Sequence, residues 1–236
     1  MSKVLTIAKK ELGAYFHSPI AYIVMVVSLS VFNVLFYLII DQNREAVLRD
    51  MFLLMEFLFV FLVPILTMRV FAEEKMMGTM EFLQTTPTTN TQIVCGKYLS
   101  SLAFFTGLLL LTLPYYIILE IFSAPDVPAI VTGYLGVWLE GALFIAIGVF
   151  TSSLSRNQII AAIAAYALIF FLYFSVGLEK FAQGTGLHAL QYLGVMNHSK
   201  NLFIGLITTS DLIYFASGIF LFITLTRITV ENRLCR

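Results

Sequence analysis

The sequence predicts an all-α integral membrane protein: a single transmembrane domain over residues 1–236 with six crossing helices. Three observations carry this expectation. Hydrophobic residues make up 59% of the chain and charged residues 12%, with a mean hydropathy of +0.91, whereas soluble globular domains carry about 25% charged residues. Apolar stretches of about 20 residues, sufficient to cross a hydrocarbon core of roughly 30 Å, recur along the chain. Lysine and arginine gather in alternate connecting segments. The formal net charge is zero, which removes any overall basic signal for nucleic acid and makes the placement of charge the informative quantity.

Ile20 to Ile40 carries no charge and predicts the first span. It exceeds a signal-peptide apolar region and has no small-residue cleavage site, so it is expected to remain in the mature protein. Ser18 and Pro19 suit an N-cap and a first helical position, where proline's missing amide hydrogen is no loss. Before them, Val4, Leu5, Ala8, Leu12, Tyr15 and Phe16 recur at helical spacing, with Lys3, Lys9 and Lys10 available for a polar side. Residues 1–18 therefore read as an interfacial amphipathic elbow. The second span is expected from Met51 to Met68 around Glu56 and Pro64, and the third from Tyr98 to Leu119 around Pro114, with kinks at the prolines. Val127 to Thr151 makes the fourth, around Glu140. Gln158 to Leu178 makes the fifth, and Leu212 to Thr226 a short sixth that starts earlier if the preceding apolar segment joins it. Two apolar pieces between them, Leu187 to Met196 and Leu202 to Ile207, are each too short to cross. Residues 179–210 thus read as a re-entrant hairpin or an extracytoplasmic interfacial loop.

Orientation follows lysine and arginine. With the N-terminus inside, the inner segments hold Lys3, Lys9, Lys10, Arg69, Lys75, Lys97, Arg156, Arg227, Arg233 and Arg236, and the outer ones Arg44, Arg49, Lys180 and Lys200. Both termini are then cytoplasmic. Cys95 and Cys235 fall on the reducing side, so no disulfide framework is expected. His17, His188 and His198 lack metal-site spacing and read as interfacial or loop residues, with no metal implied.

Residues 69–97 form a polar, Gly/Pro-punctuated island between two apolar spans. Glu73, Glu74 and Lys75 follow the second span, Gly78 and Thr79 turn the chain, and Glu81, Phe82 and Leu83 begin a short helix that Pro87 ends. Thr89 and Gln92 fit a capping box for the helix that climbs through Lys97. The run Met-Arg-Val-Phe-Ala-Glu-Glu-Lys-Met-Met-Gly-Thr-Met-Glu-Phe-Leu-Gln-Thr-Thr-Pro at 68–87, followed by Gln92-Ile93-Val94-Cys95-Gly96-Lys97, resembles the first cytoplasmic loop of type-two ABC exporter permeases. It looks most like the gliding-motility branch, the GldF permeases. The similarity extends from Lys9-Lys10-Glu11-Leu12 and Ser18-Pro19 through Thr151-Ser152-Ser153-Leu154-Ser155-Arg156-Asn157-Gln158.

That resemblance implies a six-span permease half in a bacterial cytoplasmic (inner) membrane. Its implied partners are a second half, homodimeric or related, cytoplasmic ABC ATPase subunits and, in the motility branch, a GldG-like accessory membrane protein with an extracytoplasmic domain. It also implies that Glu73 to Pro87 is a coupling helix seated in the ATPase. Glu73, Glu74 and Glu81 are the candidates for pairing with ATPase cations; Met76, Met77, Met80, Phe82 and Leu83 are those for packing into a groove. Gly96-Lys97 is followed by Tyr98 and lacks the phosphate-loop pattern. ATP and Mg are therefore expected on the partner, with no cofactor on this chain and no enzymatic activity of its own.

Glu56 and Glu140 lie within apolar segments, where ionised groups are expensive and belong to the bundle interior or to water. Glu56 sits near the outer end of its span and is expected to reach the interface. Glu140, nearer the middle, is a candidate for a pore-facing or helix-pairing role. Gly141, Ala142, Ala146 and Gly148 permit close helix approach. Two other functions compete. An ion-coupled secondary transporter would use Glu140 as a proton carrier but leaves the polar island unexplained. A polytopic membrane enzyme would need a convergent catalytic set that the histidines and carboxylates do not supply.

Overall fold

The computed structural model describes residues 3–43, 48–79, 88–123, 125–175 and 192–232, and among them every regular element is helical. In chain order these are α1 (Lys3–His17), α2 (Pro19–Asn43), α3 (Arg49–Thr67), α4 (Arg69–Met77), α5 (Asn90–Leu110), α6 (Leu113–Phe122), α7 (Val127–Leu154), α8 (Gln158–Phe174), α9 (Val195–Phe203) and α10 (Thr209–Asn232). Among the described residues five stretches are long and apolar enough to cross a membrane: Pro19–Asp41, Arg49–Met77, Asn90–Phe122, Val127–Leu154 and Thr209–Asn232. The apolar helix Gln158–Phe174 has 17 residues and falls short of that length.

Helix α7 is the axis of the bundle. Its interior face is made of glycines and small residues, so neighbouring helices come in to backbone distance. A Cβ on Gly133 would lie 2.1 Å from the Phe52 ring, and one on Gly148 would lie 2.0 Å from Thr67 Oγ1. On the face toward α5, a Cβ on Gly141 would lie 2.1 Å from Phe105. The expected small-residue packing is thus present, and Gly133 belongs to it as well.

Pair registers give the directions. Phe52 with Gly133, Thr67 with Gly148, and the Phe71 amide with Ser152 all sit at one offset of 81 residues, so α3 with α4 runs parallel to α7. Trp138 Nε1 donates to Thr106 Oγ1 at 2.9 Å and Tyr134 OH to the Thr112 carbonyl at 2.9 Å, which makes α5 antiparallel to α7. Tyr166 OH reaches the Phe61 carbonyl at 2.8 Å while Tyr173 packs on Phe57, so α8 runs back along α3. Gly218 against Leu143 and Phe222 against Phe150 set α10 parallel to α7. The chain therefore reverses direction at each successive long helix, and the ends of α3, α7 and α10 lie at one pole together with α1.

Several boundaries differ from the sequence expectation. The predicted third span is two helices, α5 and α6, separated at Leu111 and Thr112. Pro114 has no N–H for the Leu110 carbonyl, so the helix breaks ahead of it. At the break the Thr112 hydroxyl bonds back to the Leu109 carbonyl at 2.7 Å and Tyr134 caps the Thr112 carbonyl. The second span instead runs on through a single helical residue, Met68, into α4. Between the fifth and sixth spans the two expected short pieces give way, in the described part, to one helix, α9, and residues 179–191 lie outside the described residues. Gly205, at φ 89°, turns the chain after α9. The last helix starts at Thr209, three residues before the expected Leu212.

The close seam predicts that Gly148→Val destabilises the fold by about 1–3 kcal/mol, because overpacking at a backbone contact forces the neighbouring helix away. Gly107, with nothing within 4 Å of a built Cβ, serves as the control. Gly107→Ala is expected to leave the thermal midpoint in detergent unchanged or raised, since alanine favours the helix by about 1 kcal/mol over glycine.

Candidate functional site: the polar pole of the bundle

The pole where α1, α4 and α5 meet is organised around one buried cation. Lys97, 1% exposed, lies about two turns into α5. Its Nζ donates to Glu74 Oε1 of α4 at 2.8 Å and to the Val70 carbonyl at 2.9 Å, and pairs with Glu11 Oε2 of α1 at 3.2 Å. The Phe71 ring lies 5.3 Å below it. A buried ammonium is tolerated only when its donors are matched, and here α1 and α4 supply the partners for a lysine carried by α5. The clamp therefore holds α1, α4 and α5 as one body.

Local sequence explains why the parts arrive there. Thr89 caps α5 through the expected box: its Oγ1 accepts from the Gln92 amide at 3.3 Å, and Gln92 Oε1 accepts from the Thr89 amide at 3.1 Å. Gly96 lets α1 lie flat on α5, since a Cβ there would sit 2.7 Å from Ile7 Cγ2. Helix α1 is amphipathic as expected, but it turns Ile7, Leu12 and Tyr15 to the bundle and leaves Leu5 exposed. The Tyr15 hydroxyl donates to the Leu66 carbonyl at 3.3 Å and bonds Ser101 Oγ at 2.9 Å; burial pushes its phenol up to about 12, so it stays a donor. Arg69 bridges Glu73 at 3.0 Å and Ser18 Oγ at 2.5 Å. Ser18 thus spends its hydroxyl on Arg69 in the turn between α1 and α2. Between α1 and α4 a cavity of about 300 Å³ remains, lined by Lys10, Glu11, Tyr15, Arg69, Glu73 and Glu74 among others.

A second latch ties α4 to the central helix. Ser152 Oγ accepts from the Phe71 and Ala72 amides at 3.0 and 3.1 Å and donates to the Met68 carbonyl at 2.9 Å. These are backbone groups at the start of α4, where helical partners are missing. Lys75 Nζ donates to the Ser153 carbonyl.

The candidate coupling residues divide accordingly. Glu74 turns inward to Lys97 and Lys75 to Ser153, so neither stands as an outward partner for a docking subunit; the buried lysine on α5 draws Glu74 in. Glu73 is held by Arg69 on its own helix. Met76 and Met77 are exposed, as expected for a contact surface. Gly78 ends α4 in the left-handed conformation, φ 70°, with its amide bonded to the Glu74 carbonyl, and the Thr79 amide bonds the same oxygen at 3.0 Å. Met80, Glu81, Phe82, Leu83 and Pro87 lie outside the described residues. Sequence reasoning did not assign Lys97, Glu11 or Ser152 a role. A lone lysine beside a glycine at the foot of an apolar helix was the available signal.

The interior holds the other polar group of interest. Glu56, fully buried, accepts from Ser199 Oγ of α9 at 2.8 Å, and its Oε2 has no partner among the described residues; Glu140 is 1% exposed, with neither oxygen partnered among them. The expectation that Glu56 reaches the interface is therefore wrong. Helix α9 packs over it, with Leu202 and Phe203 against Gly136, and closes that route to water. His198, expected to be an interfacial or loop residue, stands on the short helix α9 and is buried: Nδ1 faces Asp211 Oδ1 at 2.6 Å, and Asn201 Nδ2 donates to Asp211 Oδ2 at 3.1 Å. His188 and Cys235 lie outside the described residues. Among the described residues no cluster of three or more His, Cys, Asp or Glu side chains has metal-binding geometry.

A helical bundle with several helices long and apolar enough to cross a membrane, braced at one polar pole, is the architecture of a multi-pass membrane protein. The chain belongs to the ABC-2 family of transporter proteins, whose family model matches residues 3–216. It is thus a membrane permease component of an ABC transporter, and membership implies pairing with an ABC ATPase and with another permease. A search of curated proteins finds no match.

The clamp makes a thermodynamic prediction. Neutralising both partners, Glu11→Gln with Glu74→Gln, strands the Lys97 charge and is expected to cost about 3–5 kcal/mol. Either single change should cost well under half of that, because Glu11 and Glu74 are each nearly a fifth exposed and one carboxylate remains. Adding Lys97→Met to the double variant should recover most of the loss in chemical denaturation; additive single and double effects would rule out the shared clamp.

Proposed function

We propose that this chain is one six-span half of an ATP-driven ABC exporter in a bacterial inner membrane. The polar pole and both termini face the cytoplasm, and the segment from Glu73 to Pro87 forms the contact with a separate ATPase. Helix α8, running back along α3, supplies the sixth crossing: 17 residues rise about 25 Å, short of the usual hydrocarbon thickness but accommodated by local thinning or by further residues. Lysines and arginines at the pole agree with this orientation.

The observation that carries the reading is the pair of latches. Lys97 joins α4 to α1 and α5, and Ser152 joins α4 to α7, so a displacement applied beyond Gly78 is delivered to the bundle axis instead of being absorbed in a loop. ATP and Mg belong to the partner. Nucleotide-driven closure of two ATPase subunits would favour one packing of the two permease halves over the other. The work done is export, or force and assembly signals passed to an accessory membrane protein with an extracytoplasmic domain, as the likeness to gliding-motility permeases suggests.

Co-expression with a candidate ABC ATPase from the same genome tests the contact. Wild-type chain is expected to co-purify with it, and Glu81→Lys combined with Gly78→Pro to lower recovery at least about tenfold, a loss of about 1.4 kcal/mol. Proline's fixed φ near −65° cannot occupy a φ of 70°. Undiminished recovery from a folded variant would refute the docking assignment.

A further inference from the structure

The interior carboxyls Glu56 and Glu140 have no part in the latches, yet they occupy the most costly position in the molecule. The α3/α7 register places Glu56 level with Val137, one helical turn from Glu140 along the same seam. Three oxygens there lack partners among the described residues, Glu56 Oε2 and both of Glu140. Each carboxylate lies within the other's field. The surroundings do little to balance two negative charges. Helix α5 presents Phe105 to Gly141, and α2 packs Phe32 on Phe59. Tyr173 of α8 and Tyr214 of α10 sense the Glu140 charge without bonding it. Lys200 of α9 acts on Glu56 only through space. His198 and Asp211 are committed to each other across 2.6 Å. Two ionised carboxylates cannot persist in such a place.

We propose that Glu56 and Glu140 form an intramembrane proton-binding site, loaded in the closed packing described here and emptied when α9 withdraws and admits water. Glu140 carries the proton, with its O–H free to donate toward Glu56 Oε2, while Ser199 orders Glu56 from α9. A proton suits the donor set better than a metal ion. Two carboxylates and one hydroxyl already donating to Glu56 leave too few oxygens for the six or more ligands that a hard cation takes. Acid then favours the closed packing and alkali the open one, which links the conformational equilibrium to pH.

The test needs no ATPase, so its result is independent of the docking assignment. In the purified full chain, infrared spectroscopy should show a protonated-carboxyl C=O band persisting at about pH 8, well above the ordinary glutamate pKa of about 4.3. Glu140→Gln should abolish that band. The folded chain binds a proton that the unfolded chain has released, so wild-type stability falls as pH rises, by up to about tenfold in the unfolding constant per pH unit. Glu140→Gln, which mimics the loaded form, should lose that part of the slope. If the variant does not accumulate, the wild-type band decides alone. Its absence at neutral pH overturns the proposal. So does stabilisation by sodium or potassium chloride but not choline chloride that disappears in Glu140→Gln, which would assign the site to a metal cation.

Discussion

The close, parallel packing of α3 and α4 on α7 is the constraint on which the rest depends. Lipid offers no hydrophobic drive for helices to associate, so contact area and backbone proximity must supply it. Glycines along α7 let Phe52 and Thr67 reach the helix backbone, and Ser152 continues the same seam into hydrogen bonds with the first amides of α4. One register thereby sets three things at once: the direction of the helices, the depth of the interior carboxyls and the attachment of the polar pole.

The two polar centres of the bundle answer the same physical problem in opposite ways. At the pole a cation is buried, and two helices bring it carboxylates, a carbonyl and an aromatic face. In the interior, carboxylates are buried and no cation comes to meet them. The first arrangement is a rigid joint, because losing any one partner still leaves others. The second is a poised site, because its neutral state depends on what solvent supplies. Helix α9 connects the interior site to the opposite pole through Ser199, so movement of that short helix would change the hydration of Glu56 directly.

Much of this organisation was legible in the sequence. Membrane character, the long apolar helices, the amphipathic first helix, the Thr89 capping box and the Gly78 turn all follow from composition, periodicity and local backbone preference. Those signals operate within a few residues or along one helix. The misreadings share a different origin. Glu56 was placed by its distance from the end of its own span, but α9, arriving from more than a hundred residues later, covers it. Glu74 looked like an outward acid because it stands in a charged run, and only the position of Lys97 on another helix turns it inward. His198 read as an interfacial or loop histidine without a partner because Asp211, which pairs with it, lies across the turn that follows α9. Pro114 announced a disturbance but not that the helix would break two residues ahead of it, a choice settled by Tyr134 capping the Thr112 carbonyl.

The amino-acid sequence by itself determined what must be in lipid, which ends of the helices are charged, and the run of residues that carries the family likeness, since hydropathy and charge spacing are properties of single segments. Only the tertiary structure decided which charges are buried and with whom. Pairing of Lys97 with Glu11 and Glu74, of Ser152 with the start of α4, and the isolation of Glu140 beside Glu56 depend on the register between helices. Packing across those helices sets that register, and no one of them encodes it alone.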